Sequence, residues 1–224
     1  EGEYLNGKRN GKGKEYYNNG KLEFIGEYLN GKRWNGKGYN INDKIEYVIE
    51  EGKGKVKEYY NDGKLEFEGE YLNGKRYGKG KEYYYNGNLK FEGEYLNGKR
   101  NGNGIEYYYN DNLIFKGEYL KGKRNGKGKE YHKNGQLKFE GEYLIGKKNG
   151  KGKEYNDNGK LNFEGEYLIG KKNGKGKEYY NNFTLYFEGE YLKGKRWNGK
   201  EYNTKGIIDF EIKDGKGKGK EILL

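Results

Sequence analysis

The side chains of this sequence that could do chemistry are pairs of basic residues that recur at a nearly constant spacing. Each pair follows a glycine, as in Gly98-Lys99-Arg100, and most successive pairs are 24 residues apart. The pairs are Lys8-Arg9, Lys32-Arg33, Lys75-Arg76, Lys99-Arg100, Lys123-Arg124, Lys147-Lys148, Lys171-Lys172 and Lys195-Arg196. Rows of cations could bind an anionic ligand or surface through many weak contacts that act together. The alternative is a charged edge that keeps the protein in solution and discourages sheets from associating.

Other residue types argue against catalysis. The sequence contains no Ser or Cys, so a nucleophilic triad or dyad built on either is impossible within it. His132 is the single histidine, whereas a histidine-based metal site needs several ligands. It occupies a position where other repeats carry Tyr17, Tyr84 or Tyr180, and we interpret it as a tolerated substitution. Carboxylates alternate with lysine, which favours cross-strand ion pairs over an acid–base site. The sequence therefore predicts no catalytic residue, no metal, no cofactor and no enzyme.

Composition places the chain between a disordered and an ordered class. Mean hydropathy is −1.40, and little apolar surface is then available to offset the entropy of ordering. Aromatic residues nevertheless make up 17% of the chain and fall at fixed positions in each repeat, which favours ordered β structure. The net charge of +11 indicates attraction to phosphate-bearing partners. No apolar run approaches the roughly 18 residues of a transmembrane segment. The sequence begins within a repeat unit, so we expect it to be a segment of a longer array.

A 24-residue repeat determines the elements that must position these side chains. Its period is marked by Phe67, Phe91, Phe115, Phe139, Phe163 and Phe187. A fixed period of this length is typical of stacked repeat architectures. Within one unit, Leu137, Phe139, Gly141 and Tyr143 alternate with charged residues, as expected of a half-buried strand. A glycine-rich turn over 146–150 and a return strand over 151–155 follow, and Asn-Gly pairs such as Asn134-Gly135 predict hairpin turns with positive φ.

Each unit is therefore predicted to be a β-hairpin, and consecutive hairpins continue one meander. The expected fold class is all-β: an elongated, twisted, single-sheet antiparallel meander, or solenoid-like ribbon, about 90 Å long at ~4.8 Å per strand. Strand glycines such as Gly141 are predicted to make room for a neighbouring aromatic ring. The pair Gly150 and Gly152 is predicted to permit a bulge. A glutamate recurs after this pair, and pairing with lysine across the ladder is one explanation of it.

Two segments break the period, and both begin with a tryptophan. Within one continuous array over residues 1–224, Trp34 begins an altered repeat at about residues 34–56, and Trp197 begins another at about 197–219. Glu50-Glu51 and Lys213-Asp214 replace the basic pair in these segments. We interpret both as shortened hairpins in which Trp fills extra core. The alternative is that they set curvature or offer a surface to a partner.

The unit Phe/Tyr-x-Gly-Glu-Tyr-x-x-Gly-Lys-x-x-Gly-x-Gly resembles the MORN repeat (membrane occupation and recognition nexus). The segment from Gly93 to Gly104 fits it with one change, Asn103 for Lys, and the resemblance covers almost the whole chain. The slightly longer period, Tyr in place of the common Trp, and Asn-Gly-x-Leu between units are closer to variant MORN repeats. The resemblance implies an elongated antiparallel sheet and a cytoplasmic scaffold or interaction role, often at a membrane or the cytoskeleton, and for some members phosphoinositide binding.

The sequence leaves three functions open. The first is a non-catalytic scaffold that binds other proteins or assembles with itself. The second is peripheral binding to anionic, phosphoinositide-containing membranes through the basic pairs. The third is a targeting array for a catalytic domain outside this sequence. Nucleic acid is disfavoured as a partner, because the tyrosines that could stack on bases are needed for the thin core and glutamate is interspersed throughout.

Overall fold

The computed structural model describes residues 1–219, and over that range it contains no helix. The strands, each antiparallel to the next where a ladder joins them, are Gly2–Leu5 (β1), Lys8–Tyr16 (β2), Leu22–Leu29 (β3), Lys32–Tyr39 (β4), Ile45–Ile49 (β5), Gly54–Tyr59 (β6), Leu65–Leu72 (β7), Lys75–Tyr83 (β8), Leu89–Leu96 (β9), Lys99–Tyr107 (β10), Leu113–Leu120 (β11), Lys123–Tyr131 (β12), Leu137–Leu144 (β13), Lys147–Tyr155 (β14), Leu161–Leu168 (β15), Lys171–Tyr179 (β16), Leu185–Leu192 (β17), Lys195–Tyr202 (β18), Ile208–Lys213 (β19) and Lys216–Gly219 (β20). The prediction of an all-β antiparallel hairpin meander is confirmed.

The strands form two sheets, β1–β5 and β6–β20, each ordered as in the chain, whereas the sequence predicted one sheet. The division falls in the first altered repeat. Between β5 and β6 the bridge Glu50–Lys53 is the one ladder contact among the described residues. β5 has five residues and β6 has six, against eight and nine in the regular hairpin β7–β8. β19 and β20, with six and four residues, are no longer than β6 and still pair, so strand length alone does not account for the division.

Two compact units divide the chain after Asp111. The first contains β1–β10, and at the altered repeat its buried cluster consists of Phe24, Tyr28, Tyr47, Ile49 and Val56. The second begins at Asn112 and contains β11–β20. Its regular hairpins repeat one packing, in which the phenylalanine of each is fully buried: Phe115, Phe139, Phe163 and Phe187.

Each regular hairpin closes through a two-residue turn in which both residues have positive φ. In β13–β14 these are Ile145 (φ 49°) and Gly146 (φ 83°), the type I′ geometry that matches the twist of the strands. The sequence predicts a turn over 146–150, but Lys147 and Lys148 are already the first two residues of β14. Two residues suffice to reverse the chain, so the strand resumes directly after the glycine.

The Asn-Gly turns between hairpins have a different geometry. In the turn after β12, Gly135 has a φ of 85°, and its N–H donates to the His132 carbonyl over 2.9 Å. The predicted positive φ is confined to the glycine of the Asn-Gly pair. Asn134 contributes its side chain instead, whose Oδ1 accepts the Gln136 N–H at 3.1 Å. Asparagine therefore stabilises these turns as an acceptor rather than through its own backbone conformation.

The core of a regular hairpin is an aromatic ring that lies over a pair of glycines. Gly141 and Gly152 face each other across β13 and β14. A Cβ placed on Gly141 would lie 2.6 Å from the Gly152 Cα and 2.7 Å from the Phe139 Cζ, both inside van der Waals contact. The prediction that these glycines make room for a ring is confirmed. Phe139 is consequently fully buried in a sheet only one layer thick at this point.

A bulge interrupts the return strand, as the Gly-x-Gly pair predicts. The register shifts between the facing pairs Gly141–Gly152 and Tyr143–Lys148, and Gly150 takes a φ of 82°. The Gly-Glu-Tyr glutamate binds the bulge backbone: in β15–β16, Glu166 accepts the Lys175 N–H at 3.0 Å. The bulge thereby determines how the basic residues at the start of the return strand are presented.

Candidate binding surfaces of the hairpins

The basic pairs form two rows rather than one, because consecutive residues of a strand point to opposite sides. Lys99 is exposed, whereas the side chain of Arg100 is 17% exposed. We call the second members the inner cations: Arg33, Arg76, Arg100, Arg124, Lys148, Lys172 and Arg196. We call the first members the outer lysines: Lys8, Lys32, Lys75, Lys99, Lys123, Lys147, Lys171 and Lys195. Of the outer lysines, Lys32 and Lys75 are half-buried and the others are exposed. Arg9, at the inner position of β2, has a side chain that is 42% exposed.

Each inner cation lies over the phenylalanine ring of its own hairpin. The Arg100 Cζ is 4.0 Å from the centroid of Phe91, and the Lys172 Nζ is 4.0 Å from that of Phe163. The seven distances lie between 4.0 and 4.8 Å. This geometry is a cation–π contact, and it also covers the face of the ring that the single sheet would otherwise leave to water.

The recurring glutamate links the inner cations of successive hairpins. Glu82 accepts hydrogen bonds from the Arg100 Nη2 at 2.7 Å and from the Tyr95 hydroxyl at 2.7 Å. It also lies 3.7 Å from the Arg76 Nη1, while Arg100 pairs in addition with Glu106. In the second unit, Arg196 is bound by Glu178 and Glu201 in the same way. We call this arrangement the glutamate–cation ladder. It confirms that the carboxylates form cross-strand ion pairs, mainly with the inner cations.

The ladder alters the acidity of its members. Burial acts to lower the pKa of Arg100, but hydrogen bonds and attraction to Glu82 outweigh burial and raise it. Burial acts to raise the pKa of Glu82, and the Arg100 guanidinium holds it below its ordinary value of 4.5. Burial and the charge of Glu82 raise the pKa of Tyr95. Arg100 is already paired with Glu82 and Glu106, which leaves the exposed outer lysines as the better candidates for an anionic ligand.

The outer lysines follow a line of hairpin ends that are hydrogen-bonded to one another. The N–H of each turn glycine donates to the carbonyl of the inner cation of the preceding hairpin: Gly146 to Arg124, Gly170 to Lys148 and Gly194 to Lys172, each at 2.8 Å. Within the second unit this fixes consecutive turns side by side. Exposed cations are therefore presented at regular intervals on a rigid backbone. Whether they bind an anion stays a prediction.

Both tryptophans pack inside their own unit, against the hairpin that follows them. The Gly52 N–H donates to the Trp34 carbonyl over 2.7 Å, and a Cβ on Gly52 would lie 2.8 Å from the Trp34 ring. The Gly215 N–H donates to the Trp197 carbonyl over 2.8 Å, and a Cβ there would lie 3.2 Å from that ring. Each Trp thus covers the turn of a shortened hairpin. The interpretation that Trp fills extra core is not supported, because Trp34 is only half-buried and Trp197 is 36% exposed.

His132 takes over a contact that tyrosine makes elsewhere. Its Nε2 lies 3.0 Å from the Tyr155 carbonyl oxygen, and the Tyr84 hydroxyl donates to the Tyr107 carbonyl at 2.7 Å in the equivalent turn. The histidine therefore has a structural partner and is more than a tolerated substitution. Within residues 1–219 no group of three or more His, Cys, Asp or Glu side chains could hold a metal ion. Among the same residues there is no helix with the length and apolarity that crossing a bilayer requires.

Two descriptions of one repeat family match this chain. The MORN repeat matches residues 1–21, 67–89, 91–113 and 163–184. The MORN repeat variant matches residues 53–73, 124–144 and 148–168. Each matched segment covers most of two consecutive strands: β7 and β8 in 67–89, for example, and β12 and β13 in 124–144. No curated protein sequence matches the chain significantly.

Solved structures with similarity to the chain include three crystal structures of TcdB2-TccC3. The form without the hypervariable C-terminal region has a TM-score of 0.25 and 11% identity, over 89% of this chain and 14% of that one. The TcdB2-TccC3-Cdc42 structure has a TM-score of 0.22 and 11% identity over the same shares. The TcdB2-TccC3-TEV structure has a TM-score of 0.22 and 12% identity. The chain thus spans about one seventh of the length of the chains it matches.

Proposed function

This chain belongs to the MORN repeat family, and from that premise we propose that it is a non-catalytic scaffold whose hairpin ends bind other proteins. A repeat-based binding or scaffold role is the general expectation for such arrays. The sequence has no Ser or Cys that could act as a nucleophile, and its recurring glutamates are engaged in the glutamate–cation ladder. What remains exposed is the same small set of groups at one hairpin end after another.

The observation that carries this proposal is the division of the basic pairs. The inner cations are paired with carboxylates of their own and of the preceding hairpin. The outer lysines, of which all but Lys32 and Lys75 are exposed, are spaced by two strands, or about 10 Å, on turns that hydrogen bonds fix in place. A preorganised row of this kind loses little entropy on binding, which favours a multivalent contact with an acidic partner.

A charge-reversal experiment tests the proposal. Lys123→Glu, Lys147→Glu and Lys171→Glu remove three outer lysines together without touching the ladder. The matched control reverses three exposed lysines of the opposite turns, Lys44, Lys133 and Lys205. Partners of the tagged chain are identified by cross-linking and mass spectrometry and then purified. We expect the first variant to lose a purified protein partner and the control to retain it. Equal binding by both variants, or substrate turnover by the purified chain, would contradict the proposal.

A second candidate is peripheral binding to anionic membranes, which the same exposed lysines favour. A test of membrane binding must leave Arg100 and Arg124 unchanged, because reversing their charge would break the ladder and unfold the hairpin. Only outer lysines should be changed. Co-sedimentation with phosphoinositide-containing vesicles at low salt should then fall on reversal of Lys99, Lys123 and Lys147. If the chain does not pellet with the vesicles, or pellets equally after the reversal, lipid binding is rejected and the protein-scaffold proposal is unaffected.

A further inference from the structure

Two neighbouring hairpin turns carry isoleucine where such a turn least favours it. Ile145 and Ile169 are the first turn residues of β13–β14 and β15–β16, and each has a φ of 49°. A β-branched residue is strongly disfavoured at positive φ. Other regular hairpins place Asn or Lys there, as at Asn73, Asn97 and Lys121. Strain of this kind persists where surrounding contacts impose it, and it is concentrated at functional sites.

The same two isoleucines are also exposed to solvent. Ile145 and Ile169 are 61% and 60% exposed, and the adjacent Leu144 and Leu168 are 49% and 52% exposed. Asparagine would relieve the backbone strain and the exposure of apolar surface together. The fold therefore gains nothing from isoleucine at either turn. Isoleucine has two independent costs at these turns, backbone strain and exposed apolar surface. No other type I′ turn of residues 1–219 combines them, which indicates a role outside folding.

We call Leu144, Ile145, Leu168 and Ile169 the apolar patch. The surrounding turns are basic: the segments 120–123, 144–147, 168–171 and 192–195 contain lysine and no acidic residue. Lys147 and Lys171 lie within the patch segments and are exposed. The patch backbone is held in place, since Asn125 Oδ1 accepts the Ile145 N–H at 3.3 Å and Asn149 Oδ1 accepts the Ile169 N–H at 3.2 Å. The result is a small, rigid apolar surface with a cationic rim.

We propose that the apolar patch is the docking site for an acidic amphipathic helix of a partner protein. Equivalent residues of the two turns are two strand spacings apart, or about 10 Å. Residues seven apart on a helix are separated by about 10.5 Å along its axis, so two apolar side chains one heptad apart can reach both turns. Acidic residues that flank this apolar stripe would meet Lys147 and Lys171. The proposal rests on the scaffold function and assigns it a surface and a class of partner.

Two other occupants fit less well. A second copy of the chain would bring one lysine-rimmed patch against another, and like charges would oppose the contact. A bilayer would meet the row of turns at many points, whereas within this row, among the described residues, exposed isoleucine occurs only at Ile145 and Ile169. A helix is about 10–12 Å wide and matches a patch of that extent. These occupants are therefore outcomes that the experiment must distinguish.

The direct test replaces both turn isoleucines with the residue that other turns use, Ile145→Asn with Ile169→Asn. The probe is a synthetic acidic helix of about 20 residues with leucines on one face, and a peptide of the same composition with scrambled leucines is its control. Binding is measured by fluorescence anisotropy. We expect the wild-type chain to bind the first peptide and not the second, and the double variant to weaken binding by roughly tenfold or more. The variant should unfold at the same or a higher urea concentration, so loss of binding is not loss of fold.

A matched control applies the same substitution outside the patch. Ile41 and Ile207 are exposed isoleucines of the opposite turns, and Ile41→Asn with Ile207→Asn should leave peptide binding unchanged. Equal binding by wild type and both variants overturns the proposal. It is also overturned if the patch variant loses only anionic vesicles, or only a dimer detected by light scattering. A natural protein partner that still binds the patch variant refutes this surface and leaves the scaffold function intact.

Discussion

The regular hairpin β7–β8 and the shortened hairpin β5–β6 bury their cores in different ways. In the regular hairpin, the Phe67 ring lies over Gly69 and Gly80, which face each other. Register places Ile49 and Val56 at the positions of this glycine pair in the shortened hairpin, and they are 0% and 2% exposed. The shortened hairpin keeps a buried ring at the corresponding position, Tyr47, which is 6% exposed and lies against Gly38. The comparison teaches that aliphatic side chains can occupy the positions of the facing glycine pair when the ring lies against a different glycine.

The two hairpins differ as strongly in charge. The regular hairpin contributes an inner cation, Arg76, that lies over its own ring. The prediction that Glu50-Glu51 replaces the basic pair is wrong: Glu51 and Gly52 form the turn, and Lys53 and Gly54 take the positions of Lys75 and Arg76. The strand before the shortened hairpin is altered too: Gly38 faces Phe24 at the position where Glu82 faces Phe67 in the regular hairpin. A Cβ on Gly38 would clash with the Tyr47 ring, which explains the missing glutamate. The ladder is thus interrupted, so the two cores should respond differently to pH and to mutation.

The largest expected effect is that of acid, because it acts on every rung of the ladder at once. Burial acts to raise the pKa of Glu82 and Glu178, and hydrogen bonds from Arg100 and Arg196 outweigh it, so both lie below the ordinary 4.5. A pKa lowered by folding contributes stability that is fully present above pH 4.5 and is lost as pH falls through the folded-state pKa. Unfolding monitored by circular dichroism should therefore begin below pH 4.5, and its pH dependence should be weaker at high salt, which screens the ion pairs.

Hydrogen exchange separates the two cores during this transition. The Ile49–Val56 core lacks an inner cation of its own, so its amides should keep their protection to a lower pH than those of Phe91 and Phe163. Exchange that accelerates everywhere at one pH would show that the ladder does not distinguish the hairpins.

The next effect compares the two cores directly. Phe67→Ala should destabilise the chain by about 4 kcal/mol, because it removes a fully buried ring together with the surface on which Arg76 rests. Val56→Ala in the shortened hairpin removes only two methyl groups and should cost about 1–2 kcal/mol. Urea unfolding measures both. Equal losses would mean that the ring contributes no more than an aliphatic side chain, and the comparison of cores would fail.

Much of this architecture could be predicted because its signals are local. The alternation of Phe139 and Gly141 marks a strand, and the Gly-x-Gly pair marks a bulge. The division of the basic pairs into two rows could not be predicted in the same way. It depends on whether Lys147 and Lys148 lie in the turn or in the strand, and a difference of one residue reverses which side a residue faces. In the structure, the two-residue turn Ile145-Gly146 places both lysines in the strand. The sequence signal for such a turn is weak, because its only constant residue is the glycine.

The division of the sheet is not marked by a motif. The sequence shows that the altered repeat is short, but β19 and β20 are no longer than β6 and remain paired, so shortness does not predict where a ladder stops. The core position expected of Trp34 was not found, because Trp34 is half-buried over a turn. The exposed patch at Leu144 and Leu168 was missed for another reason: an apolar residue in an alternating strand is expected to face the core, and these two lie at its very end.

A smaller effect should follow from changes to a single rung. Arg100→Gln removes the charge that binds Glu82 and Glu106, and we expect a loss of about 2 kcal/mol. This is below the value for a fully buried pair, because the Arg100 side chain is 17% exposed. Arg100→Lys should cost less than about 1 kcal/mol, since Lys148 and Lys172 fill the same position over their rings. A double-mutant cycle with Glu82→Gln measures the coupling, and a zero coupling energy would refute the ladder as a stabilising feature.

The smallest effect concerns the turns that separate the hairpins. In regular repeats a side chain of one turn binds a carbonyl of the next, as His132 binds Tyr155. Asn40, before the shortened hairpin, instead accepts the Asn42 and Lys44 N–H groups of its own turn and donates to Glu46 in the following strand. His132→Tyr should be neutral or slightly stabilising, because the Tyr84 hydroxyl makes the same bond. His132→Phe keeps the ring and loses the bond, so it should cost about 1 kcal/mol. Asn40 makes no such link, so Asn40→Phe should disturb only its own turn. Amide exchange distinguishes the two cases, at Tyr155 for the His132 variants and at Tyr47 for Asn40→Phe.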